Sequence, residues 1–260
     1  MKKLQRWKEK LLFQSSREVL IISVIQAIPT YSMSCFKLPK WLIKELETMI
    51  WKFWWGYSNE GRKIHWVTWK HLCEAKENGG MGFKEIEKFN DGLLAKQVWR
   101  MMHKPNSLCD KVFKVRFFLY CSILEAKEST IGSYAWKIIL SARDVIKKGM
   151  VWQVGNGQFV CIREDKWLPD QIYRTVITPP SPSPPFLDPL MPRSVSSLIL
   201  SQLCGKQIKL ILSIPLNVRL PPNCLIWSQT PTGVFTTRSA YQLLANFAMA
   251  NSASSSNPNP

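Results

Sequence analysis

Residues 40–55 read KWLIKELETMIWKFWW, with Pro39 before them and Gly56 after, and this stretch decides the fold class. Leu42, Leu46, Met49 or Ile50, and Phe53 recur at three- and four-residue steps, which on a 3.6-residue turn line one face. Proline suits the start of a first helical turn and glycine the position past the last, so both ends are punctuated as a helix requires. The spacing predicts an amphipathic helix between Pro39 and Gly56. Upstream, Leu12, Val19, Ile22 and Ile25 or Gln26 repeat in the same way until Pro29. Downstream, a third helix is predicted after Gly79-Gly80, with Ile86, Phe89, Leu93, Gln97 and Met101 on one face. A fourth runs from Ser107 through Leu108, Val112, Val115 and Leu119, and a fifth from Ser133 to Gly149, with the two serines as N-caps and Gly149 as a C′ stop.

One hairpin signal stands out. In MVWQVGNGQFVCIREDKW, residues 150–167, Asn156-Gly157 supplies the two positive φ values of a type I′ turn, which would set Val154 opposite Phe159 and Trp152 opposite Cys161. The expected class is therefore mainly α: a helical bundle with a small β-hairpin, then a Pro-rich linker and a short partial α/β piece.

Composition sets the boundaries. Eleven of the twelve tryptophans lie between Trp7 and Trp167, so the folded mass is expected over residues 1–170. Seven prolines fall between Pro179 and Pro192, which makes residues 171–193 an extended linker, since proline neither donates to a ladder nor propagates a helix. Residues 194–246 read as two short helical pieces, then a strand, a Thr-Gly turn, a strand and a helix start; residues 247–260 read as a disordered tail.

Lysine and arginine number 35 against 18 acids, a net charge of +17, and polyanions are the partners such a balance favours. Residues 1–70 hold 13 basic and 5 acidic side chains, the densest excess in the chain. Within KLPKWLIKELETMIWKFWWGYSNEGRKIHWVTWK, residues 37–70, Lys37, Lys40, Lys44, Lys52, Arg62, Lys63 and Lys70 alternate with Trp41, Trp51, Trp54, Trp55, Trp66 and Trp69. Cations meet phosphates and rings stack on bases, so the seven basic residues are the candidate nucleic-acid contacts. The rings near the end of the predicted helix equally suit a hydrophobic core.

Other chemistry finds little footing. The six aspartates are scattered, the lone adjacent acid pair is Glu164-Asp165, and no phosphate-cradling GxxxxGK[ST], GxSxG or HExxH occurs. Two-metal nucleotidyl transfer needs several convergent carboxylates, so no catalytic residues are assigned. The seven cysteines are never closer than twelve residues; His71-x-Cys73 has no second ligand pair nearby, so no metal and no cofactor are expected. Reduced thiols and the lack of a 20-residue apolar run point to an intracellular protein without a membrane partner, the nucleus among its compartments. No small-molecule substrate is identified.

Three strings, residues 17–56, 63–102 and 133–169, resemble the polyprotein of plant non-LTR, LINE-type retroelements. They begin REVLIISVIQAIPTYSMSCFKLPKW, KIHWVTWKHLCEAKENGGMGFKEIEKFN and SYAWKIILSARDVIKKGMVWQVGNGQFV, and the similarity spans about residues 5–170. In that family the region follows the reverse-transcriptase palm and precedes a reverse-transcriptase zinc-binding domain, often with ribonuclease H beyond. LIWSQTPTGVFTTRSAYQLL, residues 225–244, is similar to the opening of the zinc-binding domain. The resemblance implies that the palm's paired aspartates lie upstream of Met1, that the zinc ligands are missing after Leu244, and that ribonuclease H is absent. It thus implies a catalytically inactive fragment, thumb- and connector-like, which holds an RNA or DNA backbone non-specifically. A structural or protein-interaction scaffold without a nucleic-acid role is the alternative expectation.

Overall fold

The computed structural model describes residues 13–56, 66–127, 133–156, 160–161, 164–169, 174–175, 209–211, 213–214, 219 and 221–254. The chain forms two compact units, Met1–Ile146 with Thr237–Pro260, and Lys147–Thr236. In chain order the described elements are α1 (Gln14–Leu20), a π-helical turn (Ile21–Ile25), α2 (Thr30–Cys35), α3 (Lys40–Trp55), α4 (Trp69–Leu72), a 3-10 turn (Lys76–Asn78), α5 (Ile86–His103), α6 (Leu108–Phe117), α7 (Tyr134–Gly149), β1 (Met150–Gln153), β2 (Cys224–Trp227) and α8 (Thr237–Ser254). The class is mainly α with one small antiparallel sheet.

The stretch between Pro39 and Gly56 is helical as its spacing predicts. Pro39 stands at the N-cap, and Gly56 ends the helix at φ 80, a conformation glycine adopts without a Cβ penalty. Ile43, Ile50, Phe53 and Trp54 turn inward and meet Ile21, Ile25, Leu72, Phe83 and Ile86 in the core of the first unit. The first predicted helix is real to Leu20 and then widens into the π turn, whose five-residue bond runs from Gln26 N–H to Ile21 O at 3.0 Å. The turn buries Ile21 and Ile25 together. Arg17 and Gln14 donate to Trp54 O and tie α1 to the end of α3.

α5 is the axis of this unit, with α2, α3 and α8 packed on it. Its predicted face is buried at Ile86, Leu93 and Met101, but Leu94, Ala95, Val98 and Trp99 are buried as well. Neighbours on several sides therefore hide more of its girth than a one-faced pattern allows. In the second turn of α5 sits Asn90, fully buried. Its amide donates to Met33 O at 2.7 Å and Phe36 O at 2.9 Å, and its oxygen accepts from Leu38 N–H at 2.8 Å. One side chain thus satisfies three backbone groups from the last turn of α2 to the start of α3, groups that no regular ladder reaches.

Both serine caps are present: Ser107 Oγ accepts from Asp110 N–H at 3.2 Å, and Ser133 Oγ from Trp136 N–H at 3.3 Å. α6, however, does not turn inward the aliphatic repeat that marks it in the sequence. Phe113 and Phe117 face the core with Phe118, stacking on fully buried Trp136 at centroid distances of 6.0, 4.8 and 5.6 Å, while Leu108, Val112 and Val115 face solvent. Aromatic rings bury more area than aliphatic ones and gain from stacking, so they decide which side goes in.

In the second unit β1 pairs antiparallel with β2, Met150 opposite Trp227 and Gln153 opposite Cys224. This corrects the pairing expected across Asn156-Gly157. The turn would hold Gly155 N–H in the hairpin, whereas it is donated to Asn223 Oδ1 at 2.8 Å, and Trp152 N–H goes to Lys166 O at 2.7 Å. Residues 157–159, including Phe159, lie outside the described residues. Gly149 also has a different purpose from the one expected: it is the last residue of α7 without a left-handed φ, and a Cβ there would lie 2.3 Å from the Trp227 ring. After β2 the chain turns at Gly233, φ 69, whose carbonyl accepts from Trp227 N–H at 2.8 Å; residues 233–236 form no strand, unlike the expected one.

α8 begins where predicted but continues to Ser254, into the stretch expected to be tail. Four alanines between Thr237 and Ala250 favour that continuation, because alanine has the best helix propensity. Apart from Arg174 and Thr175, the Pro-rich residues 171–193 lie outside the described residues, as do 255–260 and most of the helical pieces expected in 194–217.

Candidate nucleic-acid interface

Because one face of α3 is locked into the core, its other face is held in fixed orientation. Lys40, Lys44 and Lys52 project from that outward face, all exposed and without an ion-pair partner among the described residues. At 100° per residue they fall within about 120° of arc. Trp41, 68% exposed, lies within it and exposed Glu45 just beyond its edge. Lys70 is exposed on α4.

The remaining predicted contacts fare differently. Lys37 is ion-paired with Asp91 on α5 and is half-buried, so its charge is already answered within the fold. Arg62 and Lys63 lie outside the described residues. Lys84, which the sequence pattern does not single out, sits with its Nζ 4.3 Å from the Phe89 ring centre, and burial lowers its pKa.

The interleaved rings separate cleanly. Trp54 meets Phe83 edge-on at 5.3 Å and Trp69 stacks on Phe83 at 5.8 Å. Trp51 donates its indole N–H to Val67 O at 3.2 Å, and Trp55 packs against the same core. Trp41 and Trp66 remain exposed. Four of the six rings therefore build the core, and stacking on nucleobases is left to two.

Further exposed cations, outside the tryptophan-rich run, lie on α5. Lys96, Arg100 and Lys104 are exposed at four-residue steps along its second half and just past its end. That spacing is the sequence signal that marks them. Arg100 and Lys104 also line a cavity of about 490 Å³ together with Tyr31, Phe113, Ile138 and Ile139, a volume within the range of small-molecule sites.

Among the described residues no three His, Cys, Asp or Glu side chains gather as metal ligands. His71 Nδ1 lies 3.0 Å from Glu74 Oε2, while burial pushes the Cys73 thiol up and disfavours the thiolate a metal would need. Burial also raises the Glu47 carboxyl, which accepts Ile86 N–H at 3.1 Å and so serves the start of α5. Among the described residues no helix is long and apolar enough to cross a membrane.

With this geometry in hand, similarity to known proteins is informative. Over 146 residues, 56% of this chain, the sequence is 39% identical to the "Uncharacterized mitochondrial protein AtMg00310" of Arabidopsis thaliana, covering 95% of that protein. Over 169 residues it is 31% identical to the Arabidopsis thaliana "Putative ribonuclease H protein At1g65750", covering 62% of this chain and 27% of that protein. No family model and no solved structure matches the chain.

Proposed function

The chain belongs to the family of the Arabidopsis mitochondrial protein AtMg00310, and from that premise we propose that it is a retroelement-derived segment that grips RNA or DNA by its phosphate backbone and performs no chemistry itself. The observation that carries the reading is the rigid outward face of α3, where Lys40, Lys44 and Lys52 are exposed with no carboxylate paired to them among the described residues. Phosphate contacts of this kind position a protein on a duplex without reading its sequence. Burial of Trp54 and the packing of Trp51, Trp55 and Trp69 against the core favour a backbone grip over single-strand stacking, which draws on exposed rings. The match to part of a protein named for ribonuclease H is consistent with a nucleic-acid setting, and the scattered acids with a binding role.

Counterion release supplies the test. If about five phosphates are neutralised, affinity for a labelled RNA–DNA hybrid should fall by roughly two to three decades between about 50 and 200 mM salt. Replacing Lys40, Lys44 and Lys52 with Gln should reduce the log–log salt slope by about 2–3. Lys37→Gln should change it least, because Asp91 already neutralises that charge. Fluorescence anisotropy reads all three. A flat salt response, or an unchanged slope in the triple variant, rejects the backbone grip; magnesium-dependent polymerase or ribonuclease H turnover by the purified chain rejects the non-catalytic reading.

A further inference from the structure

α6 has two apolar sides, and only one is used. Phe113 and Phe117 are committed to Trp136, while Leu108, Val112 and Val115 are 80%, 58% and 71% exposed, with Leu119 exposed just past the helix end. These four positions are separated by steps of four, three and four residues, the repeat of a coiled-coil seam with Leu108 and Val115 at d and Val112 at a. The three helical members lie within about 60° of arc. A continuous apolar row of this kind on a folded surface marks a contact site.

The flanks identify the partner. In this register Lys111 occupies g and Arg116 occupies e, both exposed, and Lys114 stands at c. Asp110 is the helix's lone acid and is buried, so it offers no relief at the rim. In a parallel pairing of two copies, the g residue of one helix faces the e residue five positions on in the other, which sets Lys111 against Arg116. An antiparallel pairing sets Lys111 against Lys111 and Arg116 against Arg116. Like charges at these positions oppose self-association and select a complementary helix.

We propose that this seam docks one amphipathic helix of a protein partner, apolar at its own a and d positions and Glu or Asp at e and g. A phosphate backbone would satisfy the cations but leave the apolar row in water; an acidic helix satisfies both. The site is separate from the lysine face of α3 and stands or falls independently of nucleic-acid binding.

The probes are two fluorescein-labelled three-heptad peptides with Leu at a and d, one carrying Glu and the other Lys at every e and g position, titrated into the full chain at moderate salt. The Glu peptide should bind at least about tenfold more tightly than the Lys peptide. Val112→Glu and, separately, Val115→Glu should each weaken the Glu peptide about tenfold or more while leaving the melting temperature unchanged, because both side chains are exposed. Lys111→Glu combined with Arg116→Glu should reverse the preference in favour of the Lys peptide. The proposal is overturned by no binding of the Glu peptide, by binding that neither valine variant alters, or by a charge exchange that fails to reverse the preference. It is equally overturned if sedimentation shows a dimer that Val112→Glu dissolves, or if phosphatidylserine vesicles, and not the peptide, bind in a Val112-dependent way.

Discussion

Replacing Asn90 with leucine is expected to lower the unfolding free energy by about 2–4 kcal/mol, read by urea denaturation. Leucine is close in size, and burying it would contribute roughly 1.5–3 kcal/mol of apolar transfer. The asparagine, however, answers Met33 O, Phe36 O and Leu38 N–H from a fully buried position. Those partners are backbone groups and cannot be exchanged for apolar ones. Each polar group left unanswered away from water costs about 1–3 kcal/mol, so three together outweigh the transfer gain. The same substitution frees the bend that aims the first turn of α3, so Lys40 and Lys44 should lose their fixed direction, and the folded variant should bind the RNA–DNA hybrid less tightly. A loss of stability below about 1 kcal/mol would mean that water takes over Asn90's bonds and that the clamp is dispensable.

Gly149→Ala is expected to destabilise the second unit by about 1–3 kcal/mol, the usual cost of overpacking. Helix propensity alone argues the other way, since alanine improves on glycine by about 1 kcal/mol inside a helix. Sterics decide the sign. The new Cβ would lie 2.3 Å from the Trp227 ring, and that ring has nowhere to retreat: it is fully buried and packs on Phe235 at 4.7 Å. Because Trp227 is the end of the β1–β2 register, its displacement also disturbs the Ser228 bonds to Gly149 O, at 3.0 Å from the amide and 2.7 Å from the hydroxyl. A thermal melt followed by near-UV circular dichroism reports the indole environment directly. A raised melting temperature would show that propensity prevails and that the ring is not confined.

Sequence periodicity located α3, α5, α6 and α7 because each carries its own information: an apolar repeat, a serine cap or a terminal glycine. What it missed depends on partners distant in the chain. The strand at Met150 was legible, yet its mate lies at Cys224, and an Asn-Gly pair nearby offered a closer one. The outward turn of α6 was hidden because aliphatic and aromatic rows alternate around that helix, and the aromatic row meets a stacking partner, Trp136, from a later helix. For the candidate interface, charge identified Lys40, Lys44 and Lys52, but Asp91's hold on Lys37 needed a fold to bring residues 54 apart together. The tryptophans marked the core more than the binding surface.

The return of α8 to α5 has a consequence for biosynthesis. Tyr241 accepts Glu85 N–H across 156 residues of sequence, and Ala240 and Leu243 are buried in the unit whose other portion ends at Ile146. At roughly 5–20 residues per second, the ribosome needs about 8–30 s to supply α8 after the start of α5 has been made. Through that interval the nascent chain displays the unpaired flank of α5 to the cell, so the first unit reaches completion only after residues 147–236 have been made, and any interruption of translation within them leaves that flank open to chaperones and proteases.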